Sequence, residues 1–100
     1  MAVLHHPSIE DIRLEQVLYA LSESTRLMIF KRLYTSNQER NCSYFEDLGR
    51  KNNLSHHYKV LRESGIIQVR IEGRQRLISL RLNELNNCFP GLLDSIYKNI

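Results

Sequence analysis

The chain lacks the features that would place it in a membrane or in the secretory pathway. Its 100 residues include only two cysteines, too few for a disulfide framework, so both thiols are expected to be reduced. No stretch approaches the roughly 18 consecutive apolar residues that a membrane-spanning helix needs. The chain start, residues 1–7, lacks the basic segment, apolar run and cleavage site of a signal peptide. We therefore expect a cytoplasmic protein with no membrane partner.

Catalytic and cofactor motifs are also missing. The sequence has no glycine-rich phosphate loop, no nucleophile motif and no acidic pair with a pocket signature. The remaining candidate metal ligands are His5, His6, Cys42 and Cys88, and their spacing matches no zinc motif. The histidines are typical of a polar chain start, and the cysteines of small buried residues. We predict that the chain is not an enzyme and that it binds neither a metal nor a cofactor.

The sequence does contain a concentrated positive charge. Residues 50–81 hold eight lysines and arginines against two glutamates, a net charge of +6, whereas the rest of the chain has a net charge of −3. The modest total of +3 therefore conceals a basic module. Clustered positive charge of this kind is typical of a surface that binds nucleic acid.

The helix that ends at Gly65 has an apolar side and a polar side. Leu54, Tyr58 and Leu61 recur at helical spacing and should face the core, with His57 beside them. The candidate DNA contacts on the outer side are Lys51, Asn52, Asn53, Ser55, His56 and Lys59. Asparagine can pair with adenine, and lysine with guanine, in the major groove. For an isolated helix, an ordinary solvated face would be the better interpretation.

The segment after Gly65 favours the DNA-binding interpretation. Apolar and polar residues alternate over 67–72 and 78–82, and Gly73-Arg74 supplies a hairpin turn. Arg70, Arg74 and Arg76 are candidate contacts with phosphates or a minor groove, although such charges can also simply protect an edge strand from aggregation. A helix-turn-helix over about 43–64, with a wing over about 66–82, predicts a mainly α winged helix-turn-helix that binds double-stranded DNA.

The two ends of the chain are expected to form helices over about 8–21 and 83–98, the second interrupted at Pro90-Gly91. A domain of 100 residues buries a small core, so these helices are expected to pair in a homodimer. The predicted interface residues are Ile12, Leu18, Leu92, Leu93 and Ile96. Packing within a monomer is the alternative. A two-fold dimer would hold its recognition helices about 34–36 Å apart and read a palindromic site.

Three segments resemble the ArsR/SmtB family of bacterial repressors. Residues 17–27, VLYALSESTRL, are similar to the family's ALxDPTRL segment, with Glu23 and Ser24 where Asp and Pro are usual. Residues 54–65, LSHHYKVLRESG, resemble its xSxHLKVLREAG recognition helix, and the stretch from Arg81-Leu82 to FPGLL at 89–93 resembles the ending of one subgroup. The resemblance implies the order α1-α2-α3-α4-β-β-α5, a dimer through the terminal helices, operator binding in the apo or reduced state, and release by a signal.

The resemblance also implies phosphate contacts from Ser24, Thr25 and Arg26 at a helix N-terminus, although capping explains Ser24 equally well. The chain departs from the family in its sensing residues, because Cys42 does not begin a Cys-x-Cys pair. A thiol switch that joins Cys42 to Cys88 remains a secondary hypothesis. The effector stays unknown, and a protein-interaction winged helix that does not read DNA is the alternative function.

Overall fold

The structure, a computed structural model, describes residues 4–100. Helices α1 to α5 span Leu14–Ala20, Ser24–Ser36, Lys51–Glu63, Leu82–Cys88 and Leu92–Lys98, and short 3-10 helices span Ile9–Asp11 and Cys42–Leu48. Strands β1 to β3 span Arg40–Asn41, Ile67–Glu72 and Gln75–Leu80, in an antiparallel sheet of order β1-β3-β2. Within the described part of the chain, no helix is long and apolar enough to cross a membrane.

The helices differ from the predicted pattern at two places and agree with it at a third. The first α-helix begins at Leu14 rather than near residue 8, because the backbone of Ile12 is extended after a 3-10 turn. The first helix of the helix-turn-helix is 3-10 over Cys42–Leu48, so the recognition helix is the third α-helix. The last helix is divided into α4 and α5 around Pro90 and Gly91, as the predicted interruption requires, since proline has no backbone N–H to donate.

A single hydrophobic cluster packs the helices against the sheet. Its buried members come from every main element and are Ile12, Val17, Ala20, Leu21, Ile29, Phe30, Leu33, Phe45, Leu54, Leu61, Ile66, Ile67, Val69, Ile78, Leu85 and Leu93. Leu54 and Leu61 are the buried residues of α3, in agreement with the predicted inner side of that helix. The core therefore packs the recognition helix and the hairpin against the same buried cluster.

Gly65 connects α3 to the hairpin in a conformation that favours glycine. Its φ of +89° lies in the left-handed region that glycine adopts at a helix C-terminus, as the sequence predicts. A Cβ atom at this position would lie 2.6 Å from Cγ1 of Ile12. Both the backbone conformation and the packing therefore require glycine here.

Two of the predicted dimer-interface residues belong to the protomer's own core. Ile12 is 8% exposed and Leu93 is fully buried. Ile12 is buried because its extended backbone directs the side chain against Gly65. The α5 helix that carries Leu93 is held to α2 by stacking of Tyr34 on Tyr97, with ring centres 4.4 Å apart. Neither Ile12 nor Leu93 is available to a second subunit in this conformation, which corrects that part of the predicted interface.

Candidate DNA-binding surface

The outer side of α3 is a continuous polar surface. The six side chains predicted to read DNA, at positions 51, 52, 53, 55, 56 and 59, are all exposed. Among residues 4–100, no acidic side chain lies within ion-pair distance of Lys51 or Lys59. The helix therefore presents two uncompensated positive charges beside neutral donors and acceptors.

The wing faces one edge of α3 across an open cleft of about 710 Å³. Lys51, Ser55 and Tyr58 line it from the helix, and Arg74 and Arg76 line it from the hairpin. Lys51, Arg74 and Arg76 outnumber the one acidic residue of the lining, Glu46, so the groove has a net positive charge that would attract a phosphate backbone.

The tip of the wing is a two-residue turn. Gly73 and Arg74 connect the paired residues Glu72 and Gln75, and the φ of +62° at Gly73 suits the first position of a type II′ turn. Arg74 and Arg76 are exposed, and no ion pair engages either within residues 4–100. Both guanidinium groups are therefore available to contact DNA.

The guanidinium of Arg70, unlike those of Arg74 and Arg76, is engaged in ion pairs. Its guanidinium donates two hydrogen bonds to Glu39, at 3.0 and 2.9 Å, and one to Glu72 at 2.7 Å. These contacts, with Glu39 first, raise the pKa of Arg70 further above its ordinary value. Arg70 ties β2 to the loop before β1, and these ion pairs compete with its predicted contact to phosphate, which stays a prediction. The sequence showed Glu72 nearby, but Glu39 is distant along the chain.

The start of α2 also differs from the predicted phosphate site. Glu23 is the N-cap, and its Oε1 accepts a hydrogen bond from the backbone N–H of Arg26 at 2.9 Å. The Arg26 side chain is 5% exposed and donates to Ala20 and His57. It therefore cannot contact phosphate, whereas the exposed Ser24 and the half-buried Thr25 remain predicted contacts. The carboxylate of Glu23 caps the helix, so Ser24 is the first helical residue and the capping alternative for Ser24 is wrong.

Side chains from α2 and β1 hold the 3-10 helix that forms the first element of the helix-turn-helix. Arg32 of α2 donates to both carboxylate oxygens of Asp47, at 2.7 and 2.6 Å, and to the backbone oxygen of Tyr44 at 3.0 Å. The Asn41 side chain accepts from the N–H of Ser43 and caps the 3-10 helix. Sequence spacing gave no signal for the Arg32 contact, because its partners lie in another element.

The two cysteines occupy separate surroundings. Cys42 lines the cleft between α3 and the wing, and burial raises the pKa of its thiol. The sulfur of Cys88 lies 4.0 Å from the carbonyl oxygen of Ile9. Because a raised pKa leaves little of the reactive thiolate, the thiol-switch hypothesis gains no support at Cys42. Within the region described, no group of three or more His, Cys, Asp or Glu residues could hold a metal ion.

A helix-turn-helix followed by a basic β-hairpin defines the winged helix-turn-helix class of DNA-binding proteins. No protein-family model matches the chain. The uncharacterized HTH-type transcriptional regulator YceK of Bacillus subtilis (strain 168) is 35% identical over 86 residues, which cover 81% of this chain and 83% of that protein. The chain belongs to the ArsR/SmtB family of transcriptional regulators.

Solved structures agree with this assignment. The transcriptional repressor BigR from Xylella fastidiosa is 28% identical, with a TM-score of 0.60 over 76% of this chain and 85% of that chain. HlyU from Vibrio cholerae N16961 is 20% identical and shares the fold, with a TM-score of 0.69 over 85% of this chain and 88% of that chain. The predicted family, the winged-helix fold and the regulatory rather than enzymatic class are confirmed.

Proposed function

We propose that the chain represses transcription by binding a palindromic promoter site as a cytoplasmic homodimer. The observation that carries the proposal is the shared cleft between the exposed polar side of α3 and the free arginines of the wing. In this arrangement α3 enters the major groove, where Asn52 and His56 meet base edges. Arg74 and Arg76 meet phosphates or a narrow minor groove, and they supply affinity that depends little on sequence.

The exposed apolar side of α1 supports the homodimer. Leu14 and Leu18, one helical turn apart, are 43% and 46% exposed, and the neighbouring Tyr19 is 65% exposed. Leu92 and Ile96 on α5 are half-buried. Contiguous exposed apolar residues commonly mark an interface, and a two-fold axis through this side would bury it against its own copy. The proposed interface therefore retains Leu18, Leu92 and Ile96 and gains Leu14 and Tyr19.

The test is a comparison of two DNAs, the region upstream of the protein's own gene and a random duplex of equal length. Alanine at Asn52 or at His56 should remove about 1–3 kcal/mol of discrimination and leave random-DNA binding nearly unchanged. Asn86→Ala is the matched control, because Asn86 is an exposed asparagine on α4, outside the surface. Equal losses on both DNAs would contradict the base-reading role. A wild-type protein with no preference for any upstream duplex would favour the protein-interaction alternative.

A further inference from the structure

Arg26 lies where α1, α2 and α3 meet. Its Nε donates a hydrogen bond to the carbonyl oxygen of Ala20, at the end of α1, over 2.7 Å. Its Nη1 lies 3.1 Å from Nδ1 of His57 on α3, and its guanidinium carbon is 5.4 Å from the ring centre of Tyr19. A single buried side chain therefore joins the helix that carries it to the helix with the exposed apolar side and to the recognition helix.

The geometry also assigns the tautomer of His57. A guanidinium can only donate hydrogen bonds, so Nδ1 of His57 must be the unprotonated acceptor. The neutral ring then carries its proton on Nε2, which lies 3.7 Å from Oε2 of Glu23. The other oxygen of Glu23 accepts from the backbone N–H of Arg26. Glu23, Arg26 and His57 form one connected set, which we name the helix junction.

The helix junction supplies directional contacts to α3, which the apolar core does not. Leu54 and Leu61 hold α3 against the core, but hydrophobic contact is not directional. A hydrogen bond weakens steeply when its angle departs from linearity, so the Arg26–His57 contact resists rotation of α3 about its axis. His57 directly follows His56, so any such rotation moves the base-reading side chains sideways.

We propose that Arg26 and His57 are positioning residues that fix the rotation of α3 and thereby set the specificity with which it reads bases. This inference rests on the proposed function, since it concerns how the same surface recognises its operator. Base contacts need correct alignment, whereas phosphate contacts tolerate small displacements of the helix. Loss of the helix junction should therefore reduce operator binding more than random-DNA binding.

The protonation state of His57 gives an independent test of the helix junction. The charged or titratable groups that face His57 are Glu23 and Arg26 on the α2 side and His56 on α3. Burial lowers the pKa of His57 below 6.5, Arg26 and His56 lower it further, and Glu23 opposes them. Only the neutral ring can accept from Arg26. The contact is therefore complete above pH 6.5 and is lost as the pH falls through the lowered pKa.

The experiment uses the full chain, its upstream duplex and a random duplex. His57→Leu removes the acceptor, whereas His57→Asn keeps a carbonyl oxygen near the position of Nδ1 and does not titrate. At about pH 7.5, we expect His57→Leu to weaken operator binding about tenfold and random-DNA binding less than twofold. His57→Asn should restore most of the loss. Between about pH 7.5 and pH 5.5, wild-type operator affinity should fall relative to that of His57→Asn.

Several results would overturn the inference. They are equal losses on both DNAs for His57→Leu, a failure of His57→Asn to restore discrimination, and parallel pH profiles for the wild type and His57→Asn. If His57→Leu does not fold, the asparagine variant and the pH profile decide. If the wild type prefers no upstream duplex, the proposed function fails instead. Imidazole ¹⁵N NMR of the free protein then decides the geometry, because a proton on Nδ1 of His57 at neutral pH contradicts it.

Discussion

The arginines of the wing allow a direct test of which positive charges touch DNA. Arg74 and Arg76 are exposed and make no ion pair within residues 4–100, whereas the Arg70 guanidinium is held by Glu39 and Glu72 at 2.7–3.0 Å. Alanine at any of the three lowers the net charge by the same amount. A difference between the variants therefore reports contact rather than overall charge.

The expected magnitude follows from counterion release. Each phosphate contact contributes about 0.9 to the slope of log affinity against log salt, so one contact is worth about 3.5-fold between about 50 and 200 mM salt. Arg74→Ala and Arg76→Ala should each lower the slope by about 0.9 on operator and random DNA alike. Arg70→Ala should leave the slope close to that of the wild type.

Fluorescence-anisotropy titrations of both DNAs across a salt series would measure these slopes. Two results would refute the reasoning. An unchanged slope for Arg74→Ala would remove the wing tip from the DNA contacts. A decrease for Arg70→Ala as large as that for Arg74→Ala would show that its partners Glu39 and Glu72 do not keep Arg70 from the phosphates.

Three further measurements test the fold, the interface and the absence of a metal site. Gly65→Ala should lower the melting temperature more than Gly91→Ala, because both positions have positive φ, worth about 1–2 kcal/mol, but only Gly65 also meets Ile12; equal losses would contradict the packing argument. Leu18→Glu, at an exposed site on α1, should give a monomer by sedimentation with weak operator binding, and a normal dimer would refute the interface. Reduced protein should contain little zinc. One tightly bound zinc per chain, lost in Cys42→Ser, would contradict the prediction that the chain binds no metal.

The sequence by itself determined the local elements and the polarity of their surfaces. Helical spacing at Leu54 and Leu61 placed the inner side of α3, and the alternation over 67–72 with Gly73 after it placed the hairpin. The left-handed end of α3 at Gly65 was also predictable. These features depend on residues within a few positions of one another, so periodicity and turn chemistry are sufficient to reveal them.

Tertiary structure decided which charged side chains remain free. Arg26 and Arg70 had the same appearance in the sequence as Arg74, yet one is buried against His57 and the other is held by Glu39. In the sequence, Ile12 likewise appeared to belong to the apolar side of the first helix. In the structure its side chain packs against Gly65 in the core. In each case the partner lies at least 31 positions away along the chain. Local spacing shows the side of an element on which a residue lies, but a distant partner is determined only when the elements pack together.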